Sequence, residues 1–163
     1  MKGSVLDIIG AVVLVFFFSV MAITCWMVLD EIETTPAYTA VGGNTTYLQQ
    51  GKAAQEVWDW GILFILFGSM LSAIVMAYHV DTHPALFVFG LIVFMIALII
   101  TLIVSNSFYM FYNSTELATA SGAFTSTIYV MDHLVEIMMV FGFILLIVIY
   151  GKLRSSYGGG ANV

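Results

Sequence analysis

Three ionisable side chains stand close together in the stretch STIYVMDHLVEIMM, residues 126–139: Asp132, His133 and Glu136. On a helix, residues three and four apart are neighbours, so His133 lies beside Glu136, and Asp132 shares a face with Glu136. Histidine beside carboxylates is typical of proton relays, and a His-x-x-Glu spacing occurs in carboxylate-bridged metal sites. These three residues are therefore candidates for a proton path or a metal site.

A second interpretation of these residues needs no chemistry. Carboxylates at the start of a helix are stabilised by the positive end of its dipole, and near a membrane surface they reach headgroup water. A metal site in a helical bundle needs matching ligands from facing helices, and no other apolar stretch carries an acid or a histidine in its middle. We therefore favour capping and interfacial solvation, and expect neither catalysis nor a bound metal or cofactor.

The turn sequence HVDTH holds a further polar group, with His79, Asp81 and His83. Nitrogen and oxygen ligands of this kind could hold a metal ion. Pro84 disfavours a helical conformation for the residue before it, so the two histidines lose their helical spacing. We interpret this turn as a cap for the helix that follows.

The composition indicates which elements must carry these residues. Of 163 residues, 61% are hydrophobic and 9% are charged, and the mean hydropathy is +1.05. A soluble domain has about 25% charged residues, so lipid is the natural solvent for this chain. The net charge of −6, with four basic residues, argues against nucleic-acid binding. The single cysteine, Cys25, excludes an internal disulfide and a cysteine-ligated metal site.

Four stretches reach the length of about 20 apolar residues that a transmembrane helix requires. They are residues 8–29, 57–80, 85–104 and 128–150. The sequence thus predicts an all-α, polytopic membrane protein: one domain over 1–163, with two antiparallel hairpins and both termini on the same side. The outer loops are 30–56 and 105–127, and the tail 155–163 is expected to be flexible.

Basic residues predict the orientation of this domain. Lys2, Lys152 and Arg154 flank the outermost ends of the first and last spans, which places both termini inside. The sequons that begin at Asn44 and Asn113 then fall in the outer loops, where they are candidate glycosylation sites.

Local signals refine the connections. The short turn at 81–84 predicts that spans two and three form a hairpin, with Pro84 in the first turn of span three. Lys52 and Glu56, four residues apart, indicate that span two extends outward as a helix. Asn113 and Glu116 resemble a capping box for a short helix that ends near residue 122.

Small residues in span two predict a helix-packing face. Gly68 and Ser72 are four apart, and Ser69, Ala73 and Ala77 lie on the adjoining stripe. Hydrophobicity does not drive helices together in lipid, so close approach across small residues does. We expect another helix to pack here.

The second half of the chain carries a resemblance. Its residues are THPALFVFGLIVFMIALIITLIVSNSFYMFY, then STIYVMDHL, then FGFILLIVIYGK. This order of a His-Pro turn, an apolar span ending in Ser-Asn and tyrosines, an outer loop and a final span resembles small multi-span membrane proteins of microbial viruses and phages. The resemblance implies a structural role in a viral membrane, or in a membrane that a virus remodels.

The sequence therefore predicts a structural integral membrane protein, not an enzyme, that packs against copies of itself or other membrane proteins in a larger assembly. One alternative is an accessory subunit of a membrane redox or transport complex, with Asp132, His133 and Glu136 near its active path. Another is a pore-forming or membrane-destabilising protein.

Overall fold

The computed structural model describes residues 5–79 and 84–158, which are helical almost throughout and contain no strand. The helices are α1 (Val5–Thr34), α2 (Pro36–Ala40), α3 (Thr45–His79), α4 (Pro84–Tyr112), α5 (Ala118–Ser121), α6 (Thr125–Asp132) and α7 (Leu134–Gly158). Four of them, α1, α3, α4 and α7, are long and apolar enough to cross a membrane. The predicted all-α fold with four transmembrane helices is confirmed, and α4 begins at Pro84 as predicted.

The first two long helices extend well beyond the predicted spans. α1 has 30 residues and α3 has 35. At 1.5 Å per residue they are about 45 and 52 Å long, against a hydrocarbon thickness of about 30 Å. The predicted loop 30–56 is therefore mostly helical, and only residues 35–44, with the short α2, connect the two helices.

The last predicted span is interrupted near its start. α6 ends at Asp132, His133 has non-helical dihedral angles (φ −103°, ψ 17°), and α7 starts at Leu134. At the other end α7 continues to Gly158, so residues 155–158 are helical rather than part of a flexible tail. The remaining tail residues, 159–163, lie outside the described part of the chain.

The long helices form a four-membered ring in cross-section. α1 and α7 each pack against both α3 and α4. Lys52 at the start of α3 binds Asp30 near the end of α1, and Tyr112 at the end of α4 binds Asp132 just before α7. The pairs α1/α3 and α4/α7 are therefore the two antiparallel hairpins, and the start of α1 and the end of α7 lie at the same end of the bundle.

The predicted side-by-side packing of spans two and three is wrong. α3 and α4 lie diagonally across the ring and share little contact. The five steps from His79 to Pro84 can span up to about 17 Å, whereas packed helices are about 8–10 Å apart. The connection is thus long enough to join two helices on the diagonal of the ring. Its short length therefore does not imply that α3 and α4 are neighbours.

A group of fully buried side chains lies where α5 and α6 close one end of the bundle. We call this the outer end, after the predicted orientation. Its fully buried side chains include Ile23, Ile62, Phe108, Phe124, Met131 and Leu134. Phe108 lies at the centre and meets the Phe16 ring edge to face, with centroids 6.4 Å apart. This apolar plug fixes the positions of the polar groups around it.

Deeper in the membrane-spanning part, the contacts between helices depend on the complementary shapes of their side chains. Gly142 on α7 lies directly against the ring of Phe94 on α4, and a Cβ atom at residue 142 would overlap that ring. Phe94 is buried as a result. The buried hydroxyls of Ser19 and Thr101 donate to the carbonyl groups of Val15 and Ala97, four residues earlier in their own helices.

Candidate functional site

The structure places Asp132, His133 and Glu136 around the break between α6 and α7, and all three are exposed. The break changes the prediction that Asp132 and Glu136 share a face. Asp132 turns toward α4, whereas Glu136 faces a groove beside α3. Because α3 and α4 are diagonal in the ring, the two carboxylates diverge. Among the described residues, no three His, Cys, Asp or Glu side chains are close enough to hold a metal ion.

Asp132 has a specific partner on another helix. The hydroxyl group of Tyr112 donates to its Oδ2 atom at 2.7 Å. Tyr112 is the last residue of α4, so the bond joins the end of α4 to the start of the last span. This contact gives Asp132 a structural role in fixing the α6–α7 break.

His133 is held by the residue one turn before it. Its Nδ1 atom lies 2.9 Å from the carbonyl oxygen of Tyr129, and its ring stacks on the Tyr129 ring with centroids 4.4 Å apart. A carbonyl oxygen only accepts hydrogen bonds, so Nδ1 carries the proton. With a proton on Nδ1, Nε2 is the ring atom left to accept a hydrogen bond, and it has no partner among the described residues.

Glu136 differs from the other two residues. It lies in the first turn of α7, where the helix dipole favours its negative charge. Within the described part of the chain its carboxylate has no hydrogen-bond or ion-pair partner. Its carboxylate is therefore available to a ligand, as is Nε2 of His133.

An open groove of about 580 Å³ runs along the surface between α3 and the last two helices. Its walls are almost entirely apolar, and Tyr129, His133 and Glu136 provide its polar end. The apolar lining consists of Phe67, Met70, Leu71, Ile74, Ile137, Val140, Phe141 and Ile144. The groove is therefore apolar and lipid-facing along most of its length, with a small polar site at the end near the membrane surface.

Sequence reasoning missed Asp59, the one acidic side chain that is buried in the described part of the chain. It is 6% exposed and accepts hydrogen bonds from the backbone N–H groups of Ser126 at 3.1 Å and Thr127 at 2.6 Å. Both N–H groups lie in the first turn of α6, so they have no acceptor within that helix. Asp59 thus caps a helix from another helix. The available signal was an acid inside a predicted span, which is a functional candidate by default.

A second polar network joins α1 to α3 outside the predicted hydrocarbon region. The Nζ atom of Lys52 lies 2.8 Å from Asp30 and 2.7 Å from Glu33, and 5.0 Å from the centre of the Trp26 ring. The i, i+4 spacing in the sequence predicts that Lys52 and Glu56 are neighbours along α3. Instead, Glu56 accepts a hydrogen bond from the indole of Trp26 at 3.3 Å, because the end of α1 lies alongside and offers Lys52 two carboxylates.

The HVDTH turn is described only at its first residue. His79 is exposed, and its Nδ1 atom lies 2.8 Å from the carbonyl oxygen of Val75, one turn earlier. Asp81 and His83 lie outside the described residues, so the metal and capping interpretations both remain sequence-based predictions.

The small residues of α3 divide between two opposite faces. Ala73 and Ala77 pack against the core of this chain, and Ser69 is half-buried with its hydroxyl bonded to the carbonyl of Leu66. Gly68 and Ser72 are exposed, and a Cβ atom at residue 68 would meet nothing within 4 Å. Gly68 and Ser72 therefore do not pack against another helix of this chain, and their predicted packing requires a partner chain.

Both candidate glycosylation sites are exposed, but their surroundings differ. Asn44 caps α3, since its Oδ1 atom accepts the N–H of Thr46 at 2.9 Å. Asn113 directly follows α4 and donates from Nδ2 to the carbonyl of Tyr109 at 3.2 Å. The predicted capping box at Asn113 is wrong: the short helix α5 begins at Ala118, without a side-chain cap.

Comparison with known proteins adds no relative. No protein-family model, characterised protein or solved structure matches this chain significantly.

Proposed function

We propose that this chain is a non-catalytic structural subunit that packs with copies of itself or with other membrane proteins in a larger membrane assembly. The observation that carries the proposal is that polar side chains of this chain bind other helices of the same chain. Lys52, Asp59 and Asp132 each bind a group on a different helix of the same chain. Such contacts stabilise a fixed bundle and leave these residues bound to the protein instead of to a substrate.

The outward face of α3 supports a role in assembly. Gly68 and Ser72 form a small-residue step on the side of α3 that faces away from the core. Helices in lipid associate where small residues allow their backbones to approach. A helix from a second copy, or from another membrane protein, fits this face. A viral membrane as the site of assembly rests on the resemblance of the second half of the chain.

Substitutions on this face test the proposal. Gly68→Leu and Ser72→Leu should reduce detergent-stable association, measured by light scattering after size-exclusion chromatography, because a bulky group separates close helices. Leu71→Ala is the matched control on the same helix, since it removes bulk from an exposed position. Equal and negligible effects of all three changes would remove this face from the proposal.

The orientation with both termini inside is part of the same proposal. Lys152 and Arg154 lie near the end of α7, and Lys52 lies at the other end of the bundle beside Asp30 and Glu33, so the end with more basic residues is the inner one by the positive-inside rule. Single-cysteine labelling at Thr45 and at Ser155, in a Cys25→Ala background, tests it in sealed vesicles. Labelling of both positions from one side would contradict the proposed topology.

The two alternatives predict different behaviour in cells. A structural subunit is present in fixed stoichiometry in a purified assembly. An accessory subunit of a redox or transport complex co-purifies with a metal- or haem-bearing subunit, and a pore former kills the host that expresses it. The apolar plug around Phe108 lends no support to a pore through a single copy.

A further inference from the structure

The groove between α3 and α7 ends in an arrangement of acceptors that no residue in 5–79 or 84–158 uses. Glu136 provides an unpaired carboxylate, and His133 provides Nε2, because its Nδ1 proton is donated to the Tyr129 carbonyl. The Tyr129 ring lies stacked beside them. Two acceptors next to an aromatic ring suit a cation that carries several N–H donors.

The depth of this site matches the level of lipid headgroups. The last candidate span, Leu134–Arg154, has 21 residues, or about 31 Å of helix, close to the hydrocarbon thickness of about 30 Å. Glu136 lies about 3 Å along the helix from Leu134. Its carboxylate is therefore at the boundary, while the apolar part of the groove continues toward the middle of the membrane.

The lining of the groove favours a lipid chain over a protein helix. Its apolar walls are Phe, Met, Leu, Ile and Val side chains, with no glycine, alanine or serine among them. A close-packed helix needs small residues at the contact, and those of α3, Gly68 and Ser72, do not line this groove. A flexible acyl chain can follow the irregular surface instead.

From these observations we propose that the groove is a binding site for a lipid with a primary ammonium headgroup, of the phosphatidylethanolamine class. Its ammonium group donates hydrogen bonds to the Glu136 carboxylate and to Nε2 of His133, and one acyl chain lies along the apolar groove. A quaternary ammonium headgroup has no N–H donor and cannot satisfy these acceptors. The site goes beyond the proposed assembly role and does not depend on it.

Lipid titration of the purified full chain in detergent tests the proposal. The probes are phosphatidylethanolamine and phosphatidylcholine with identical acyl chains, and the readouts are bound lipid by native mass spectrometry and the shift in Tm. We expect phosphatidylethanolamine to bind about tenfold more tightly, since charge-assisted hydrogen bonds are involved. Equal binding of the two lipids would overturn the proposal.

Two substitutions separate the headgroup from the chain. Glu136→Gln should remove the preference for phosphatidylethanolamine while leaving phosphatidylcholine binding unchanged, and Glu31→Gln, at an exposed carboxylate on α1, is the matched control. Val140→Trp should fill the groove and weaken both lipids. Retention of the preference in Glu136→Gln would overturn the assignment. A loss of self-association in Glu136→Gln that neither lipid affects would do the same, because it identifies a protein helix as the occupant.

Discussion

The outer end of the bundle and its membrane-embedded middle are held together by different forces. At the outer end, charged and polar groups bind across helices, as in the pairs Lys52–Glu33 and Asp59–Thr127. In the middle, the buried hydroxyls of Ser19 and Thr101 bond to their own helices. There the contact between α4 and α7 depends on Gly142, whose missing side chain leaves room for the Phe94 ring.

The difference follows from the solvent that each region meets. In lipid a polar group without a partner is costly, so a partner within the same helix is the safest arrangement. Near water an exposed pair such as Lys52–Glu33 can open to solvent, and the buried Asp59 is satisfied by two backbone N–H groups. The outer end can therefore use polar contacts to set which helices meet, while the middle of the bundle must use shape.

The largest expected effect is the loss of the carboxylate that caps α6. Asp59→Ala leaves two backbone N–H groups at the start of α6 without acceptors, and each unsatisfied buried group costs about 1–3 kcal/mol. We expect the free energy of unfolding in detergent to fall by about 3 kcal/mol, measured by denaturant titration. Asp59→Asn keeps one acceptor and should cost less, and the exposed Glu116→Ala is the control. A loss for Asp59→Ala no larger than the control's would show that the cap does not stabilise the outer end.

Next in size is a single methyl group added in the middle of the bundle. Gly142→Ala places Cβ where the Phe94 ring lies, and overpacking of this kind costs about 1–3 kcal/mol. The same denaturant titration measures it. Gly90→Ala on α4 is the matched control, since a Cβ there meets nothing within 4 Å. Equal effects of the two changes would mean that shape does not hold α4 against α7.

A smaller effect is expected at the junction of α1 and α3. Lys52→Met removes two ion pairs and leaves Asp30 and Glu33 facing each other. Because all three side chains are partly exposed, at 18–32%, the loss should be smaller than that for Gly142→Ala and in the range of surface ion pairs. High salt should shrink the difference between Lys52→Met and the wild type, since it screens these charges. A salt-independent difference would indicate lost packing on Trp26 instead.

The sequence predicted the parts of the fold that depend on local properties. Hydropathy located all four transmembrane helices, and the Lys52–Glu56 spacing correctly indicated that α3 extends outward. What it did not predict depends on distant partners. Thr127 is 68 residues from Asp59, and no local spacing reveals such a pair.

The cluster at Asp132 shows the same limit. The i, i+4 rule placed Asp132 and Glu136 on one face because it assumed an unbroken helix. The break at His133 has no proline or glycine beside it to signal its position. It accompanies the bond from Tyr112 to Asp132 and the packing of α6 over Phe108, both of which come from other helices.

The smallest expected effect concerns this bond at the α6–α7 break. Asp132→Asn keeps an oxygen that can accept from the Tyr112 hydroxyl, and the exposed site is hydrated, so the free energy of unfolding should change by less than about 0.5 kcal/mol. Tyr112→Phe removes the donor altogether and should cost about 0.5 kcal/mol, the low end for a hydrogen bond because the contact is exposed, which makes it the sharper test of the contact itself. His133→Gln should also be mild, because the backbone at residue 133 can adopt the same angles. If Asp132→Asn proved as damaging as Asp59→Ala, the carboxylate would have to carry a charge-dependent role. Stoichiometric metal in the purified wild type that is lost in His133→Gln would replace the structural interpretation of these residues with the metal one.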